Sequence, residues 1–149
     1  MTRNMKTKII LFVFLCVANL AFSQNKNAPR SIISSSASIR TYHQIDDLKK
    51  MQKGELLELY VERIQALIKT LPYIALATKP GITIADLGIP DTSENLKLMD
   101  IQMEATAKFL ETTVDFQRKM LPYCDKDNII SAILFYENTM RSLHEFDSL

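Results

Sequence analysis

The chain has 149 residues, 47% of them hydrophobic, with 18 basic and 17 acidic side chains and a formal net charge of +1. This is enough for one domain with a modest core, and the near-neutral balance excludes the basic field that holds nucleic acid. Three glycines, two histidines and two cysteines leave little material for phosphate-cradling loops, zinc sites or covalent haem.

The chain opens with Arg3, Lys6 and Lys8, followed by the apolar run Ile9–Phe22 and then Ser23-Gln24. A basic start, a short greasy core and small residues before a cut are the parts of a secretory signal peptide, here Ala21 and Ser23 before a cleavage expected between Ser23 and Gln24. As a helix the run spans about 21 Å, short of a bilayer core of about 30 Å, so cleavage is expected over a permanent anchor. Cutting there removes three of the 18 basic residues and none of the 17 acidic ones, which turns the net charge from +1 to −2. Cys16 leaves as well, so Cys124 remains alone and no intramolecular disulfide is expected. A lipid anchor at Cys16 is disfavoured because Leu15 is bulky where that pathway takes small residues, and because Cys16 falls in the middle of the apolar run.

Residues 24–43 are Ser- and Asn-rich, contain Pro29 and show no helical period. They read as a flexible tail, with Ile32, Ile33 and Ile39 as a rival, strand-like docking segment. The helical domain is expected over residues 44–149. Thr41 and Gln44 have capping-box spacing, and Asp46-Asp47 suit a helix N-terminus. Leu57, Tyr60, Ile64, Leu67, Leu71 and Ile74 recur at steps of three and four, one face of a helix. Glu58, Glu62, Arg63 and Lys69 fall off that stripe. Gly54 is a weak point that sets the first turns apart as a separate segment, and Pro72 predicts a kink, with the helix resuming to about Ala77.

Residues 79–90, KPGITIADLGIP, form a connection too apolar for a solvated loop. Thr83 with Asp86 caps a turn ended by Gly88, and the loop either plugs the bundle or docks a partner. The candidate partner-binding residues are accordingly Tyr73, Ile82, Ile84, Leu87 and Ile89. Asp91 with Glu94 starts a second helix, whose stripe is Leu96, Met99, Met103, Ala107, Leu110, Val114 and Leu121. Pro122 ends it. Asp125 or Asp127 starts a third, with Ile129, Ile133, Tyr136, Met140, Leu143 and Phe146 on one face and Glu137–Arg141 as an exposed acid–base pair. The reading is all-α: an antiparallel, up-down-up three-helix bundle.

No catalytic, cofactor-binding or metal-binding residues are assigned. His43 and His144 lie near opposite ends of the domain, no Glu-x-x-His pair exists, and the Asp125–Asp127 run lacks the glycine and glutamate of a calcium loop. The on-stripe methionines are read as core rather than copper ligands. The expected function is a non-enzymatic binding or assembly module of the cell envelope, periplasmic or secreted, without a transmembrane helix once the signal is cut. Its partner is expected to be another envelope protein or itself. The alternatives are a small chaperone-like client-binding protein and a thiol-dependent activity at Cys124.

Overall fold

A computed structural model describes residues 30–146. The expected signal peptide, its cleavage site, Cys16 and residues 24–29 of the tail lie outside the described residues. Among the described residues four α-helices follow in order: α1 (Ile45–Lys50), α2 (Lys53–Thr70), α3 (Ser93–Met120) and α4 (Lys126–Phe146). The chain is thus mostly helical, and among the described residues there is no strand, only an isolated antiparallel bridge between Ser31 and Thr83. None of these helices is long and apolar enough to cross a membrane.

The helix boundaries follow local chemistry. The break between α1 and α2 falls at Met51-Gln52, not at Gly54, because Gln52 caps α2. Its side chain accepts from the third amide of the helix, and Glu55 Oε2 accepts from the Gln52 N–H at 2.7 Å. At the other end α2 stops at Thr70. Pro72 offers no amide to continue the ladder, and Leu71–Tyr73 forms a 3₁₀ turn instead of the expected kink and resumed helix. The Tyr73 carbonyl then accepts from both Leu76 and Ala77, at 2.7 and 2.8 Å, which closes the turn. The second Leu-Pro-Tyr, Leu121–Tyr123, makes a 3₁₀ turn after α3 in the same way. The cap of α3 is Thr92, one residue past Asp91, with its hydroxyl accepting from the Asn95 N–H at 3.2 Å.

In the packing, α2 is central. It lies against α4 most extensively and against α3 next, while α3 and α4 have no pairing of similar extent. The main core gathers Leu48, Leu56, Tyr60, Ile64, Val114, Leu121, Ile129 and Ile133. Within it the Tyr60 and Tyr136 rings meet edge-on at 5.4 Å, with their hydroxyls 3.1 Å apart. Two amines hold the ends together: Lys53 donates to the Pro122 carbonyl at 2.8 Å and Lys126 to the Lys49 carbonyl at 2.7 Å.

The expected tail is the largest departure from the sequence reading. From Ser31 to Tyr42 the chain packs against the helices, with Ile32, Ile33, Ala37 and Ile39 all buried. Ile32 and Ile33 join Tyr73, Ala77 and Ile84, and Ile39 joins Ala66, Leu67 and Met140. The Ser/Asn-rich composition outweighed three isoleucines that were noted only as a strand-like docking segment and that instead meet apolar partners within the chain.

Candidate functional site

Three features carry chemistry or exposed surface: the 79–90 loop, a buried ion cluster, and the outer face of α3. In the loop, Thr83 and Asp86 cap each other. The Thr83 N–H and hydroxyl donate to Asp86 Oδ2 at 2.8 and 2.7 Å, and the Asp86 N–H returns to Thr83 Oγ1 at 3.3 Å. These bonds hold the Asp86 carboxyl below its usual range, since they favour its charged form. Gly88 follows at φ +70°, a left-handed conformation that side chains disfavour.

This turn folds the loop back on the chain. The Ile32 N–H donates to the Ile82 carbonyl at 2.8 Å, and the Gly81 N–H to Ser31 Oγ at the same distance. Of the five candidate residues, Tyr73 and Ile84 are buried, and Ile82 and Ile89 are half-buried against the same cluster. Only Leu87 stands exposed, apart from that cluster. The Tyr73 hydroxyl is buried with no hydrogen-bond partner among the described residues, and burial pushes its pKa up.

The ion cluster was not legible as a site. Arg63, placed off the α2 stripe by its spacing, is 2% exposed, and Glu137 of α4 is 1% exposed. Glu137 Oε1 accepts from Arg63 Nε at 2.7 Å and from His43 Nδ1 at 2.9 Å, while Oε2 accepts from the His43 backbone N–H at 2.6 Å. Arg63 Nη2 donates to the Thr41 carbonyl at 2.6 Å, and Nη1 to Glu62 Oε1 at 2.8 Å. With the His43 Nδ1–H directed at Glu137, the 3.5 Å approach of Arg63 Nη2 to the same nitrogen sets two donors side by side and is no bond.

Burial pushes the Glu137 carboxyl up, but the hydrogen bonds from His43 and Arg63, with the Arg63 charge, outweigh it. The net value lies below the usual carboxylate range. The pairing expected between Glu137 and Arg141 is replaced accordingly: Arg141 lies over the Tyr42 ring, 5.0 Å from its centroid. A polar cleft of about 660 Å³, lined by serines 35, 36 and 38 with Arg40, His43 and Arg63, opens beside the cluster. Of its serines, Ser36 is engaged elsewhere: its Oγ lies 2.9 Å from Ser34 Oγ and accepts from Lys69 Nζ at 3.0 Å. The cluster fastens residues 41–43 to α2 and α4.

Cys124 is half-buried against the main core. Among the described residues no three His, Cys, Asp or Glu side chains gather in a way that could hold a metal ion.

The outer face of α3 is the third feature. Its inner side is as the spacing predicts: Leu110, Val114 and Leu121 are buried, and Leu96, Met99 and Met103 half-buried, with Ala107 left exposed. The same helix carries a second apolar line. Leu98, Ile101, Phe109, Phe116 and Met120 are 48–59% exposed. Leu71, at the end of α2, borders it across an apolar cleft of about 370 Å³ that also takes in Ala105 and Phe109. The signal was present in the sequence as a second set of apolar residues at steps of 3, 8, 7 and 4, which keep to one side of a helix, obscured because one stripe already accounted for the helix. No family model matches this chain, and no curated protein or solved structure matches it either.

Proposed function

We propose that this chain is an exported, non-enzymatic helical binding or assembly module of the cell envelope, its helices forming an antiparallel three-helix bundle. One observation carries the reading. A helix about 42 Å long turns Leu98, Ile101, Phe109, Phe116 and Met120 to solvent along one side while Leu110 and Val114 on its other side are buried. Isolated exposed apolar residues are ordinary, but several large ones along one side of a single helix mark a docking surface. The partner face is therefore α3 with Leu71; of the 79–90 loop only Leu87 is available to extend it. Export rests on the basic and apolar character of residues 1–23, and an intact mass beginning at Gln24 is the expected result.

The test is a photo-crosslinking residue at Phe109, compared with one at Glu111 on the same helix. Discrete adducts at Phe109 and none at Glu111 support the reading; none at either position refutes it. A chaperone-like role would use the same face, and gives a smear of client adducts in place of discrete ones.

A further inference from the structure

We infer that the outer face of α3 pairs with the same face of a second copy of this chain, antiparallel, about a two-fold axis at position 107. The inference rests on the reading of this face as a docking surface and names its occupant. Leu98, Gln102, Ala105, Phe109, Thr112 and Phe116 follow one another at steps of 4, 3, 4, 3 and 4, and all six are exposed. That alternation is a coiled-coil seam, in which facing helices interlock side chain into gap.

Reversing the seam against itself matches every layer. Leu98 meets Phe116 of the second copy, Gln102 meets Thr112, and Ala105 meets Phe109; the other three layers repeat these in reverse. Each match suits its chemistry. At the centre the small Ala105 leaves room for the Phe109 ring, so two rings pack without colliding at the axis. Gln102 and Thr112 form a polar layer: the Thr112 hydroxyl donates within its own helix to the Lys108 carbonyl at 3.2 Å and is left to accept from the Gln102 amide of the second copy, the device by which polar seam residues fix alignment. Leu98 and Phe116 close each end with hydrocarbon. A partner of different sequence would not require the seam to read the same in reverse, whereas an interface of the same patch on both subunits does. The area suffices: with Ile101, Met120 and Leu71, the seam exposes on the order of 800 Å², what a stable interface takes from each partner.

The test uses the purified mature chain carrying Cys124→Ser, with a spin label at Lys97→Cys or at Lys108→Cys. Sedimentation is expected to show a dimer at micromolar concentration. In the antiparallel pair the two Lys108 sites are offset along the axis by about 3 Å and the two Lys97 sites by about 30 Å, so the first label reports a short distance and the second a long one. Phe109→Glu is expected to weaken the dimer by roughly 30-fold or more, with helix content unchanged because the ring is exposed. Ala105→Arg, at another exposed position, should do the same.

A dimer with both label pairs short, or one that survives Phe109→Glu and Ala105→Arg, overturns the inference. A monomer that still gives Phe109 adducts with a different protein overturns the second copy and leaves the docking face standing. A monomer with no adduct removes both.

Discussion

Glu137, itself buried, receives three hydrogen bonds, two from His43 and one from Arg63. A buried carboxylate so held is stable only as a set with its partners. Glu137→Gln leaves the Arg63 charge without its buried counter-ion, and removing one member of a buried pair costs about 3–5 kcal/mol. Urea unfolding at neutral pH is expected to show that loss. The acid limb carries a second signature. The Glu137 carboxyl is held below its ordinary value of 4.5, so its contribution is complete above that value and is lost as pH falls through the lower, folded one. Stability of the native chain should therefore fall in acid more steeply than that of Glu137→Gln, and parallel acid limbs would contradict this account. Nothing in the sequence announced the set. Spacing places Arg63 beside the stripe and Glu137 in an ordinary surface pair; only the return of residues 41–43 across α2 and α4 brings the two together.

The 79–90 loop and α3 show what local pattern can and cannot give. Thr83, Asp86 and Gly88 were legible as a reciprocal cap and a left-handed stop, because those depend on neighbours within a few residues. Whether the isoleucines turn inward depends on Ile32 and Ile33, which composition had assigned to a tail. Ile84 is buried and Leu87 exposed, so the two should respond differently. Ile84→Ser is expected to destabilise by about 2–5 kcal/mol, while Leu87→Ser changes the melting temperature little; equal losses from both would place Leu87 in the core. For α3 the inward stripe was legible and the outward one was not, since periodicity shows where apolar residues lie but not which of two faces finds a partner. The early stop of α2 came from the missing Pro72 amide, which ended the helix where a kink was expected.

As a whole the molecule is all-α, as the pattern implied, but its core draws on more of the chain than the helices alone. Ile32, Ile33 and Ile39 bury fully enough that each contributes about 1.5–3 kcal/mol. A chain beginning after residue 40 is expected to lose on the order of 5 kcal/mol of stability by chemical denaturation. An unchanged unfolding midpoint would return this segment to the status of a spacer. The arrangement also explains how an open α3 is tolerated: α2 is covered by α3, α4 and the Ser31–Tyr42 segment, leaving the far side of α3 over for another purpose.

The clasp at Glu137 has a bearing on the order in which the chain acquires its shape. His43 and Glu137 stand 94 positions apart, and Arg63 and Glu137 stand 74 apart. During synthesis, the cation that must be buried is made long before the anion that permits its burial. Until α4 has emerged, closing α2 over Arg63 would bury that charge with only the exposed Glu62 beside it, so the segments that precede α4 have reason to stay open until it arrives.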